Sequence, residues 1–235
     1  LDTISKDLFN IKPDSHYFQL KQEVICSGLL TTGKRRYAMY VTNKEGVAVE
    51  ELDMKGLELM KSNMNKKFKK FGENLIKDIL FGKSKTEIDN SIVDFYKSLK
   101  TMDPRQLGKP TGVKQIHAYH IPAKAGDMFS GFRLKAPSNT KAAVRYNDLL
   151  KFKKLDKKYE SIIEGDKIFI INLKQNPYHL ETIGLPNAQV PKEIDEFVKQ
   201  YIDVDEIFES LLANKLKNLY GDLNWEFPSL NAKIG

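Results

Sequence analysis

The chain has 235 residues, a mass of 27.0 kDa and 41% hydrophobic content, enough to bury a core as one large domain or two small ones. Its single cysteine, Cys26, excludes an internal disulfide, its four histidines form no Cys/His cluster of zinc-ligand spacing, and no run reaches the roughly 18 to 20 apolar residues of a membrane span or shows a signal-peptide pattern. A net charge of +7, from 38 Lys and Arg against 31 Asp and Glu, favours polyanionic partners without requiring them.

The chain begins with Leu rather than Met, as expected of a processed product or an excised portion of something longer. Residues 1–57 read as extended. The alternation over 17–25 predicts one strand and 37–41 a second, and Thr42-Asn43-Lys44-Glu45-Gly46 has the turn chemistry of a hairpin, so a small antiparallel sheet is expected. Cys26 is expected to be a small buried side chain. Between these strands Lys34, Arg35 and Arg36 follow Gly33 and run straight into Tyr37-Ala38-Met39-Tyr40-Val41, which puts three cations at the mouth of a strand. Gly28 and Gly33-Lys34 have the glycine spacing of a phosphate-binding P-loop, but Arg35 replaces the hydroxyl that would hold magnesium, and a P-loop is excluded. A plain solvated, charged turn is the competing reading of 34–36.

The character changes at about residue 58. Phe68, Phe71, Leu75, Ile76, Ile79 and Leu80 recur at helical spacing with Lys66, Lys67, Lys69 and Lys70 between them, predicting an amphipathic helix with a basic outer face. A second helix is expected from Thr86, capped by its hydroxyl, with Ile88, Ile92, Phe95, Tyr96 and Leu99 inward and Met102-Asp103-Pro104 at its end. Gly and Pro make 107–138 an expected loop, and a lysine-rich helix is predicted over 139–158. The strongest strand signal is 167–173, and acidic helices are predicted over 192–202 and 204–219, whose charge would repel a phosphate backbone.

No set of residues makes a catalytic site in sequence. Asp2 with Asp7, or Asp53 with Glu58, are isolated acids, and His16, His117, His120 and His179 have no nucleophilic Ser or Cys signature beside them. His117 and His120 have metal-binding spacing for a helix, but the surrounding Pro and Gly argue against a helix there.

Thr32-Gly33-Lys34-Arg35-Arg36-Tyr37-Ala38 resembles the T-G-K-K-R-Y-A segment of family B DNA polymerases, closest to the replicative enzymes of tailed phages. Upstream, Lys21-Gln22-Glu23-Val24-Ile25 resembles the Glu-containing segment that precedes this motif, and downstream Lys55-Gly56-Leu57-Glu58 through Lys61-Ser62 resembles the K-G-L/I-E-x-x-K/R element where palm passes into thumb. Gly131-Phe132-Arg133-Leu134, Arg145-Tyr146-Asn147, Glu164-Gly165-Asp166, Asn176-Pro177 and Leu185-Pro186 are similar in order and spacing to the thumb of the phage enzymes.

The resemblance implies an α+β chain: residues 1–57 as the end of the palm, with a small antiparallel sheet, and 58–235 as a mainly helical thumb with a short β-element. It implies that Lys34, Arg35, Arg36 and Tyr37 meet the primer end of duplex DNA, with Arg35 where the family usually has Lys, and that Glu23 lies beside the active site. Lys61 and Ser62 would meet primer phosphates, and Lys141, Arg145, Tyr146, Asn147, Lys151 and Lys153 would line the thumb face on the duplex. The family's magnesium-binding aspartates and its fingers and exonuclease residues lie outside this stretch, so the chain is expected to hold no catalytic residue and no cofactor, with magnesium belonging to the complete polymerase. The expected partners are primer–template duplex and the rest of the polymerase, namely exonuclease, fingers and catalytic palm; a sliding clamp is possible, though the C-terminus shows no clamp-binding tail, and no membrane is expected. Phage origin would place the protein in a bacterial cytoplasm. Two other readings stay open: a stand-alone, non-catalytic nucleic-acid-binding module, and a structural or interaction domain with solvated basic patches.

Overall fold

A computed structural model describes residues 6–7, 21–57 and 64–230. The chain is α+β and divides into two compact units, Leu1–Leu57 and Glu58–Gly235.

The first unit is a three-stranded antiparallel sheet of β1 (Val24–Gly33), β2 (Arg36–Lys44) and β3 (Val47–Lys55), in that order. Two-residue connections join the strands. Glu45 and Gly46 both take positive φ, and the Asn43 carboxamide oxygen accepts the Gly46 N–H at 2.9 Å, so the hairpin expected at 42–46 forms with its turn at 45–46. The predicted strand over 17–25 is displaced: residues 17–20 lie outside the described part, 21–23 carry no strand, and β1 starts at Val24 and extends to Gly33, where pairing with β2 supplies the hydrogen bonds that alternation alone could not locate. Among the described residues of this unit Ala38 and Val41 are the buried ones, and Cys26, expected inside, is half-buried because a three-stranded sheet has little interior of its own.

In the second unit α1 (Lys66–Leu80) and α2 (Lys85–Leu99) pair through their aromatic faces, Phe71 stacking on Phe95 at 4.0 Å between centroids and Phe68 meeting the same ring edge-on at 5.4 Å. α2 starts one residue before the predicted position. Its cap is Ser84, not Thr86: the Ser84 hydroxyl accepts the Glu87 N–H and the Glu87 carboxylate accepts the Ser84 N–H, a capping box. Asp103 caps the next turn, α3 (Pro104–Leu107), by accepting the Arg105 N–H at 2.8 Å; the Arg105 guanidinium hydrogen-bonded to its carboxylate holds the Asp103 pKa below the usual value.

The stretch 107–138, expected as loop, carries short regular pieces: β4 (Lys109–Gly112), α4 (Ile116–Tyr119), β5 (His120–Ile121) and β6 (Gly131–Phe132). Long-range partners make them. β4 pairs with β7 (Lys167–Asn172), and the turn of helix at 116–119 is capped by the Glu164 carboxylate, which accepts the His117 N–H at 3.0 Å from 47 residues away. β7 also pairs with β8 (Thr182–Pro186), giving the sheet order β4-β7-β8.

α5 (Ser138–Phe152) lies on this sheet with Ala142, Ala143, Tyr146, Leu149 and Leu150 buried. The approach is close at Gly184, where a Cβ would stand 2.8 Å from Ile168 Cδ1 and 3.1 Å from the Ala142 carbonyl carbon, so a larger residue would push helix from strand. α5 ends at Phe152 rather than at 158: Lys154 turns to φ 56°, and the Leu155 N–H returns to the Leu150 carbonyl at 2.8 Å, the bonding of a Schellman stop. The chain closes with α6 (Lys192–Tyr201), α7 (Val204–Phe208), a π-helical turn (Glu209–Ala213) and α8 (Asn214–Asp222). The Tyr96 hydroxyl bonds Asp205 and the Tyr220 hydroxyl donates to Asp89 at 2.7 Å, tying these helices to α2.

Candidate nucleic-acid interface

Lys34 and Arg35 form the whole connection between β1 and β2, with Arg35 at φ 62°, a left-handed conformation that only a tight turn asks of a side chain of this size. Gly56, at φ 70° beyond the end of β3, lies so close that a Cβ there would collide with the Arg35 carbonyl. The three cations then part company. The Arg36 guanidinium folds back across Gly33 and donates to the Thr32 carbonyl at 2.8 Å, so it fastens the hairpin. Lys34 and Arg35 are exposed and make no hydrogen bond or ion pair with a described residue. Tyr37 is half-buried, in register between Thr31 and Lys55, which holds its ring to the base of the turn. The segment is therefore a charged turn, one whose geometry is fixed by its own third cation. Gly28 lies inside β1 and a strand follows Gly33-Lys34, so the helix N-terminus that a P-loop needs is absent from this hairpin. Glu23 is exposed, and its carbonyl accepts the Glu45 N–H at 2.8 Å.

In the second unit, Lys66, Lys67, Lys69 and Lys70 are exposed on the first two turns of α1, while Phe68, Leu75 and Ile76 face inward. Asn65 caps this helix by accepting the Lys67 N–H at 3.0 Å, and its amide donates to the Gly108 carbonyl at 3.2 Å, so the end is anchored. No acidic residue stands in the first turn. Cations at the positive end of a helix dipole repel it by roughly 0.3–1 kcal/mol each at low salt, a cost that a bound anion would reverse. Lys61 and Ser62 lie just before this helix, outside the described residues.

α5 treats its expected contact residues differently. Tyr146 has no exposed surface; its hydroxyl finds no hydrogen-bond partner among the described residues, and burial pushes its pKa up to about 12. Arg145 donates to the Ser130 carbonyl at 2.7 Å and to Asp148 at 3.3 Å, and its guanidinium lies over the rings of Phe132 and Phe129 at 4.7 and 5.2 Å. Asn147 clasps the Ile162 backbone, donating to its carbonyl and accepting from its N–H, both at 2.8 Å. Tyr146 thus has no surface to offer a duplex, while Arg145 and Asn147, half-buried, are engaged by hydrogen bonds within the fold. Lys141 and Lys151 remain exposed on the same helix, and Lys153, half-buried, sits 6.0 Å from the Tyr178 ring.

No family model matches the chain, and no curated protein matches it. The same helix holds a cluster that sequence spacing did not reveal. His120 Nε2 is 2.9 Å from the Ser130 hydroxyl, and Asp148 accepts the Ser130 hydroxyl at 2.7 Å and its N–H at 2.9 Å. A histidine without a serine signature nearby in sequence thus gains a serine in space. Because the Ser130 hydroxyl donates its hydrogen bond to Asp148, the same oxygen is left to accept from His120; the serine is held rather than activated. His117 is on the helical turn and His120 on β5, so the pair does not share a helix face as metal ligands would. Among the described residues no three His, Cys, Asp or Glu side chains converge to hold a metal ion, and no helix is long and apolar enough to cross a membrane. Asp2, His16 and Glu58 lie outside the described residues, and Asp53 faces Met39 in register on β3.

Proposed function

We propose that this chain grips duplex DNA by its phosphates, as the palm-end and thumb portion of a family B DNA polymerase. The observation that carries the reading is the β1–β2 hairpin: it holds Lys34 and Arg35 outward on a two-residue turn while Arg36 spends its charge on fastening that turn. Cations presented on a rigid element lose little entropy on meeting phosphate, and a sequence-independent grip needs nothing more. The four lysines on the first turns of α1, with no acid in the first turn, support the same reading, and Lys141 and Lys151 are the available cations of α5. In a complete polymerase such a grip aligns the primer end for attack, so the contribution of this chain to catalysis is positional. Magnesium and the acids that hold it belong to the rest of that enzyme, which is the partner this reading implies.

The test is binding of a blunt duplex by the chain as a function of salt. Phosphate contacts make the logarithm of the affinity fall linearly with that of salt, by close to one unit of slope per contact. A flat salt response would favour an interaction domain with solvated basic patches. Primer extension with magnesium by this chain alone should give no product, and synthesis would place catalytic acids within it after all.

A further inference from the structure

At the C-terminal end of α5, Phe152 stands between Lys151 and Lys153, 48% exposed, because the Leu149–Leu150 side of the helix is the one committed to the sheet. Its ring meets Tyr178 at 74° and 6.1 Å, a contact that steadies it without covering it. Beside it opens a cavity of about 380 Å³ whose wall includes Phe152, Lys151 and Lys124 and whose floor is the His120–Ser130–Asp148 cluster. That floor is built. Ser130 and Asp148 are each 5% exposed, and the Asp148 charge is met by Arg145 at 3.3 Å. Lys124 and Lys151 make no hydrogen bond or ion pair through their side chains with a described residue, against one further acid on the wall, Asp127.

An open aromatic face, two uncommitted cations and a fixed row of hydrogen-bonding groups are complementary to an unpaired nucleotide: base on ring, phosphate on ammonium, base edge on the polar floor. A base inside a duplex is stacked on both faces and offers none to Phe152. We propose that this cavity binds a single-stranded nucleotide of a DNA chain, stacked on Phe152 with its phosphate held by Lys124 and Lys151. The proposal rests on the nucleic-acid reading above and adds to it a strand-selective site that shares Lys151 with the duplex grip.

The experiment compares, for the full chain, the affinity for a short oligothymidylate, an abasic strand of equal length, free thymidine monophosphate and a blunt duplex. Oligothymidylate should bind more tightly than the abasic strand. Phe152→Ala and Phe152→Leu should each weaken it about ten-fold, the order expected for one base–aromatic stack, and Phe152→Trp should preserve it, while duplex affinity stays constant throughout. Phe152→Leu retains an apolar side chain against Tyr178, and duplex affinity unchanged in both variants shows that a matching loss does not come from unfolding. Lys124→Ala with Lys151→Ala should reduce the salt slope for oligothymidylate by about 1. Equal binding of abasic and base-bearing strands, or indifference to Phe152, overturns the site, and thymidine monophosphate competing as well as the oligonucleotide overturns its assignment to a strand. Failure of duplex binding with Phe152-dependent oligothymidylate binding intact would overturn the duplex grip and leave this site standing.

Discussion

Lys34-Arg35-Arg36-Tyr37 and Arg145-Tyr146-Asn147 each set an arginine beside a tyrosine, yet the first runs from a two-residue turn into a strand and the second lies on a 15-residue helix packed against a sheet. A turn of two residues has no interior, so Lys34 and Arg35 stay in solvent and only Arg36, one residue into β2, is drawn into a bond with the Thr32 carbonyl. The helix offers both faces. Its period puts Tyr146 in the stripe of Ala142, Ala143, Leu149 and Leu150, while Arg145 and Asn147, on either side, reach Ser130, Asp148 and Ile162. An arginine beside a tyrosine thus stays on an outward turn in one element and becomes an internal clasp in the other, and the deciding variable is where in its element each residue falls.

The largest expected effects come from the inward set. Tyr146→Ala removes a fully buried aromatic side chain and should cost about 3–5 kcal/mol in urea unfolding. Arg145→Ala leaves Asp148 buried with Ser130 as its remaining hydrogen-bond donor and should cost about 1–3 kcal/mol. Neither change should alter the salt slope of duplex binding by the protein that remains folded. An Arg145→Ala variant of unchanged stability and weakened duplex affinity would break the contrast, because it would put the guanidinium on the ligand after all.

Periodicity made the helical framework legible: α1 and α2 bury the stripe of Phe68, Leu75, Ile76, Ile88 and Ile92 that three- and four-residue spacing marks out. Turn chemistry located the hairpin at Asn43–Gly46 because that signal is local. What stayed illegible was set by partners distant in sequence. β4 exists because Lys109 and Pro110 meet Ile170 and Phe169, α4 because Glu164 reaches back to His117, and the Ser130–Asp148 bonds span 18 residues. For the candidate site the same division holds. The exposure of Lys34 and Arg35 follows from a glycine and a short turn, whereas the inward aim of Tyr146 depends on which face of α5 meets β8, and the sequence Leu149-Leu150-Lys151-Phe152 alone does not show that the phenylalanine is the residue left outside.

The outward pair should show the converse behaviour. Lys34→Ala with Arg35→Ala removes two side chains without described partners, so stability should stay within about 0.5 kcal/mol of the wild type. Duplex affinity should fall and the salt slope should shrink by about 2, one unit for each lost phosphate contact. Arg36→Ala sharpens the distinction inside the motif: it should loosen the turn through loss of the Thr32 bond, with a modest stability change of about 1 kcal/mol that the double variant lacks.

Tyr146→Phe is the smallest perturbation and bears directly on whether that residue faces inward. The hydroxyl is buried without a partner among the described residues, so its removal should raise stability near neutral pH by on the order of 1 kcal/mol. The pH response fixes the sign independently. Burial pushes the Tyr146 phenol up to about 12 in the folded protein, above the value near 10 of an unfolded chain. A group raised in this way contributes its full stability below about pH 10 and loses it as pH climbs toward 12, at no more than roughly 1.4 kcal/mol per pH unit. Tyr96, pushed up to about 12 chiefly by its hydrogen bond to Asp205, titrates over the same window but is present in both proteins, so the difference between wild type and variant isolates Tyr146. Urea unfolding from about pH 8 to pH 11 should therefore show two curves that run parallel at the lower end, the variant higher by on the order of 1 kcal/mol, and that diverge above pH 10, the variant falling less. Curves that stay parallel to pH 11 would mean that the phenol ionises as freely folded as unfolded, and a tyrosine that does so is facing water, where the duplex contact denied to it here would be open to it.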